Sequence, residues 1–176
     1  RTRDVLAMIA AARMLGQTGP RAVKPEMRTE GKPKAADPKA GAGTRRDTTL
    51  DGMMKRAREY AGGRNDLNGL VDELSRSSAK VRKDGPARFA SGIGDGVSDV
   101  YTMSFRADEP VMVAITGEGV SDLDLFVEDE AGNRVCASTG AGDDEICRWT
   151  PRWNGNFRVR VRNLGAVYNE YRLWSN

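Results

Sequence analysis

Two cysteines, Cys136 and Cys147, lie 11 positions apart on either side of a glycine- and acid-rich stretch, and the chain has no histidine. Without imidazole, this chain alone cannot build a Ser-His or Cys-His nucleophile pair, a His-ligated zinc site or an imidazole acid–base. Two thiols are too few for a four-thiolate zinc site, and no CxxC spacing points to redox exchange or metal binding. The separation suits a bridge between two consecutive extended segments, which in the chain-entropy model contributes about 3 kcal/mol. The competing reading is two buried free thiols. A bridge would place the chain in an oxidising setting: periplasm, cell surface or medium.

Asp122 and Asp124 stand two positions apart, and Asp143, Asp144 and Glu145 follow on a nearby loop. Clustered carboxylates can accept backbone N–H groups at turns, offer hard oxygen ligands to calcium, or act as paired acids in glycoside hydrolysis. Turn capping is the first expectation. Calcium at Asp122, Asp124, Asp143 and Asp144 is the second, and catalysis comes last. Arg158, Arg160 and Arg162 alternate, so one strand would carry all three on one face, with Arg172 extending the row from a neighbouring strand. Such a row is either a solvated face paired with Asp124 or Glu128 across strands or a binding face for an anionic polymer or acidic partner. Trp149 and Trp153 bracket a proline and an arginine. One is expected in the core and the other exposed as an anchor for a protein partner or a sugar.

The elements that position these groups follow from a division of the chain after Ala87. Residues 1–87 carry a net +8 and hold every lysine; residues 88–176 carry −5 and ten of the eleven aromatics. Large buried side chains offset the entropy of ordering the backbone, so the packed core is expected in 88–176. Residues 1–15 read as a short helix with a broad apolar stripe (Val5, Leu6, Met8, Ile9, Met14), stopped by Gly16. They are read as a mature N-terminus left after removal of an upstream signal. Residues 16–48 carry four prolines and many basic residues but show no apolar period, which predicts a linker or basic arm. No aromatic platform is interleaved with these charges, so nucleic acid is not an expected partner. Residues 49–87 read as a helical hairpin: Thr49 caps the first helix, Gly62-Gly63 stop it, and Leu67, Leu70, Val71 and Leu74 recur at helical spacing in the second. No apolar run approaches the ~18 residues of a membrane span.

From Arg88 the period becomes two. Tyr101, Met103 and Phe105; Val111, Val113 and Ile115; Leu123, Leu125 and Val127; Phe157, Val159 and Val161; and Tyr171 and Leu173 each alternate with smaller or polar residues. Turn residues separate the runs, as at Ala131-Gly132-Asn133 and Asn154-Gly155-Asn156. About eight short antiparallel strands with no helix between them predict a mainly β chain, a sandwich or jelly roll over 88–176.

This half resembles the bacterial pre-peptidase C-terminal domain. The matching stretches, in the family's order, are DGVSDVYTMSF (95–105), EPVMVAITG (109–117), SDLDLFVEDEAGNRV (121–135), WTPRWNGNFRVRVRN (149–163) and YNEYRLW (168–174). The resemblance implies a small secreted β-sandwich without catalytic residues of its own, whose aspartates mainly cap turns. Some related modules bind matrix or polysaccharide. Residues 1–87 lie outside the resemblance.

Two function classes follow, neither enzymatic. In the first, the chain is an exported structural or interaction protein whose sandwich head joins a protein partner or a self-assembly through its helices and basic arm. The charge division suggests that this arm reaches the acidic sandwich of a neighbouring copy. In the second, it is a cell-surface module that binds polysaccharide or matrix, or an accessory domain of a secreted hydrolase.

Overall fold

The computed structural model describes residues 25–32, 45–47, 50–80 and 87–175. The expected helix at 1–15 and most of residues 16–48 lie outside them. Among the described residues, nine strands form two antiparallel sheets, and two helices stand between the first strand and the rest. In chain order these are β1 (Glu26–Glu30), α1 (Leu50–Ala61), α2 (Asn65–Lys80), β2 (Ala87–Ile93), β3 (Ser98–Phe105), β4 (Val111–Gly117), β5 (Leu123–Glu128), β6 (Arg134–Ser138), β7 (Asp144–Trp149), β8 (Gly155–Asn163) and β9 (Asn169–Ser175). One sheet runs β1-β3-β8-β5-β6 and the other β2-β9-β4-β7. No helix among the described residues is long and apolar enough to cross a membrane.

The alternating residues do what their period requires. Tyr101, Leu123, Leu125, Val127, Phe157, Val159 and Val161 of the first sheet meet Val113, Ile115, Cys147, Tyr171 and Leu173 of the second in one buried cluster. The solvent sides of the two sheets differ. On β4 the outward residues Met112, Ala114 and Thr116 are buried as well. Helix α1 lies at this face, where Arg56 Nη2 donates to Thr116 Oγ1 at 2.5 Å. The helices share a small core of their own, Met54, Ala57, Ala61, Leu67 and Val71, with Leu70 at its margin.

Strand β1 falls within the segment expected to be a linker or arm. It pairs antiparallel with β3, Glu26 opposite Thr102 and Glu30 opposite Ser98. Four of its five side chains are exposed, so the ladder rather than a buried stripe makes it a strand. Nothing in its hydropathy could have announced it.

The loops gather at two ends. At one, the β2–β3, β4–β5, β6–β7 and β8–β9 loops are laced together by Gly96 N to Asn163 O (3.0 Å), Leu123 N to Gly142 O (2.8 Å) and Leu164 N to Asp122 O (2.8 Å). We call this the arm end. At the other, the tryptophan end, Asp108 N donates to Pro151 O (2.9 Å) and Ala107 N to Asn154 Oδ1 (2.8 Å). Between β5 and β6, the carboxylate of Asp129 accepts from Asn133 N (2.8 Å) and Nδ2 (2.9 Å), and Gly132 takes φ +88°. That is the tight turn which Ala131-Gly132-Asn133 implied. The Asn133 hydrogen bonds hold the Asp129 carboxyl below its ordinary value.

Candidate functional site

Cys136 and Cys147 form a disulfide, with Cα atoms 5.8 Å apart. Consecutive strands proved to belong to different sheets: β6 is the edge of one and β7 the edge of the other. The bridge therefore ties the two layers along one open side rather than linking neighbours within a sheet, and Cys147 itself lies in the core.

At the arm end the acidic loop meets arginines of the basic half. Arg45 Nη1 lies 2.6 Å from Glu118 Oε2, and Arg46 Nη1 lies 3.5 Å from Asp143 Oδ1 and 3.7 Å from Asp144 Oδ2. Arg56, 6% exposed, donates to Asp47 O at 2.7 Å and stands 3.3 Å from Asp144 Oδ1. Thr116 Oγ1 donates to that same oxygen. The carboxylate of Asp143 also accepts from Gly119 N and from Asn169 Nδ2 (3.2 Å), while Asn169 Oδ1 accepts from Glu118 N (3.0 Å). Two glycines make room for this. A side chain on Gly117 would strike Asp143, and one on Gly119, which has φ +78°, would strike the Arg46 guanidinium. Burial, with Asp144 alongside, pushes the Asp143 carboxyl up despite Arg46. The basic arm thus engages the sandwich of its own chain, where the charge division had suggested a neighbouring copy.

Asp122 and Asp124 take no part in this cluster. Asp122 Oδ1 accepts from Gly142 N at 3.2 Å, capping the β6–β7 loop. Asp124 faces outward on β5 yet is 6% exposed, and burial and Asp122 push its carboxyl up. The four carboxylates considered for calcium are therefore divided, and Asp143 and Asp144, with Asp124 opposite Arg162, already face guanidinium groups. Among the described residues, no group of three or more acids or cysteines is placed to hold a metal. Adding calcium or a chelator should leave the melting temperature unchanged; a rise with calcium would require Arg46 and Arg56 to give up Asp143 and Asp144.

Glu145 is a further buried acid. Its carboxylate accepts from the Ser138 hydroxyl and from Gly140 N (2.7 Å), but burial still raises its pKa above the ordinary 4.5. A carboxyl raised in the folded state binds protons more readily there than in the unfolded chain. Its stabilising contribution therefore grows as pH falls through the folded value and is complete below 4.5. Glu145→Gln can still accept from Gly140 N through its one amide oxygen and donate its NH2 to the Ser138 oxygen in place of accepting from it, without a charge. It should raise the melting temperature at pH 7 and flatten the profile between neutrality and pH 4.5; an unchanged profile would show that burial does not control this group.

The arginine row lies on the outer face of the first sheet, in register with acids. Arg158 is opposite Glu128, and Arg162 is opposite Asp124. Arg160 Nη1 lies 2.6 Å from Glu30 Oε2 on β1, and this hydrogen bond holds the Glu30 carboxyl below its ordinary value. Val100, an outward residue flanked by Arg28 and Arg160 in the register, is only 2% exposed, as expected where arginine stems lie along a sheet. The row is thus a paired face rather than a free basic strip. Arg172 does not extend it, because β9 belongs to the other sheet.

The two tryptophans separate cleanly. Trp149 packs edge-on against Phe105 at 5.2 Å and tilts against Phe157 at 5.7 Å, beside the core. Trp153 is 47% exposed and lies roughly parallel to Phe157, 6.3 Å away at 20°. A side chain on Gly155 would press on its indole edge at 3.0 Å.

Sequence reasoning missed several participants. Arg56, Glu118 and Asn169 act at the arm end, beside Arg45 and Arg46 of the expected basic arm. Asp99 is a fully enclosed carboxylate that accepts from Thr29 Oγ1 (2.8 Å), Ser91 Oγ (3.0 Å) and Tyr171 Oη (2.8 Å). Only the reversal of charge between the two halves hinted at the arm-end pairs.

No protein-family model matches this chain, and no curated protein matches it. Solved structures of similar fold include the pre-peptidase C-terminal domain of a collagenase from Bacillus anthracis, with 15% identity, 52% of this chain and 89% of that one covered, and a TM-score of 0.42. The mitogen derived from Yersinia pseudotuberculosis gives 11% identity, 52% and 86% coverage, and a TM-score of 0.44. A periplasmic inhibitor of g-type lysozyme from Aeromonas hydrophila gives 14%, 51%, 85% and 0.39.

Proposed function

We propose that the chain is an exported, non-enzymatic interaction protein whose disulfide-tied sandwich joins a larger assembly through its helices and basic arm. The observation that supports it is the fitted seat at the arm end, filled here by the chain's own arginines and equally fitted to those of a second copy: Arg46 crosses Gly119 onto Asp143 and Asp144, with Arg45 on Glu118 beside it. The buried acids Asp99, Asp143 and Glu145 are engaged by hydroxyls, amides and guanidinium groups, which supports structural rather than acid–base use. The disulfide favours an oxidising compartment. Light scattering on the full chain, across protein concentration and from low to high salt, should give a mass above one chain that falls as salt rises. A one-chain mass under every condition, with nothing co-purifying, would remove this reading.

A second reading, a carbohydrate-binding module, is favoured by Trp153. Its half-exposed indole lies over Phe157, within reach of the exposed polar residues Asn154, Asn156 and Glu130 at the same end. A flat aromatic with an amide and carboxylate rim suits the mixed faces of a sugar. If this reading holds, Trp153→Ala should abolish glycan-array signals while shifting stability by less than ~1 kcal/mol. An array without hits for the unaltered chain would dismiss it.

A further inference from the structure

Strand β1 occupies the edge of β3 without contributing a side chain to the apolar core. The side-chain bonds that it makes to the sandwich are polar or sulfur-bearing. Thr29 donates to the enclosed Asp99, Glu30 pairs with Arg160, and Met27 Sδ lies 3.9 Å from Ser91 Oγ, whose proton goes to Asp99. The rest of the attachment is main-chain pairing from Glu26 to Glu30. Nothing in these contacts depends on which chain supplies the strand. A copy of the same segment from a neighbour would make the same ladder, place the same threonine on Asp99 and the same glutamate on Arg160. What favours a chain's own strand is covalent linkage, which acts as an effective concentration. The site also cannot stand empty without loss. Removing the strand would take a hydroxyl from a carboxylate that is 1% exposed, and would bare the β3 edge.

We propose that the β3 edge is a strand-acceptor site and that its occupant in the assembled state is residues 25–32 of a second copy. The exchange rests on the assembly reading above and names its partner. The pairing is main-chain strand addition, in which the ladder supplies affinity while Thr29 and Glu30 set register and specificity. Arg160 then reads the incoming glutamate at 2.6 Å as it now reads its own.

Two full-length chains test this, one carrying Glu26→Cys and the other Thr102→Cys, with one uniformly isotope-labelled. Both positions are exposed and directly opposite in the register. After mixing over a range of concentrations and mild oxidation, peptide mapping should find a disulfide joining position 26 of one chain to position 102 of the other. Its yield should rise with concentration and fall when excess peptide of residues 25–32 is added. A chain carrying both substitutions is the control and should close on itself when dilute. If that control closes and the mixture gives no 26–102 link at any concentration, the exchange is wrong. If the control fails to close, the β1–β3 pairing is wrong and the proposal falls with it. Light scattering on the unaltered chain separates the two readings. A salt-sensitive oligomer without the link overturns the exchange alone, whereas a constant one-chain mass overturns the assembly as well.

Discussion

Replacing Cys136 and Cys147 together by alanine should destabilise the fold by about 3 kcal/mol, with a fall in melting temperature on the order of 15 °C for a domain of this size. Part of this is chain entropy, since the bridge closes a short loop across a separation of 11 residues. The larger reason is where it sits. β6 and β7 are edge strands of different sheets, and no main-chain ladder joins them. β6 pairs only with β5, through a register that shifts between Val127 and Glu128, and most of its side chains are exposed. Without the bridge, the described hydrogen bonds between β6 and β7 are those of the Ser138 hydroxyl, which donates to Glu145 and accepts from Ile146 N at 3.3 Å. Alanine at 147 also removes volume from a fully buried position. Denaturant titration of the double variant is the measurement, and hydrogen exchange should show β6 opening first. A loss below ~1 kcal/mol would mean that packing and the Ser138 hydrogen bonds already hold the two layers at that edge.

The second large effect is expected at Arg56. Arg56→Ala should cost about 3 kcal/mol, because removing one partner of a buried ion pair leaves the other without compensation. The guanidinium touches Thr116, Asp47 and Asp144 at once. It joins α1 to Thr116 on β4 and Asp144 on β7. Arg46, 3.7 Å from Asp144, compensates only in part. Arg56→Lys should recover part of the loss, since a single ammonium cannot serve three acceptors in fork geometry. A cycle with Asp144→Asn isolates the pairwise energy, and faster amide exchange across α1 with an unchanged sandwich would locate the loss at that contact. Equal stability of Arg56→Ala and the unaltered chain would show that the helices are held by other means.

The half of the chain that folds as a sandwich was legible because its information is carried by large residues at period two. Phe157, Val159 and Val161, or Leu123, Leu125 and Val127, have one arrangement that buries them, and the cluster they form is the one their alternation implies. What was not legible has a common physical cause. The EMRTE segment of β1 has no buried stripe to betray it and becomes a strand only because β3 offers an unpaired edge. The sheet each strand joins is a matter of topology rather than of local pattern. The spacing of Cys136 and Cys147 therefore indicated a bridge, but not that it crosses layers. Arg172 looked like a neighbour of Arg160 for the same reason. At the arm end, single residues far apart in the chain (Arg46, Thr116, Asp143, Asn169) converge through loops. Only the summed charge of each half foreshadowed that arginines would meet acids there.

The basic arm is seated on the acidic end and open edge of the sandwich. Hydrogen–deuterium exchange on the intact chain tests this most directly. The account predicts protection of the amides in 26–30 and at Arg46, whose N–H donates to Glu118 O at 2.7 Å. It also predicts that high salt speeds exchange at Arg46 and α1, while the β5 and β8 core strands are unaffected. Exchange at 26–30 and Arg46 at the rate of an unstructured peptide, at low salt, would contradict it.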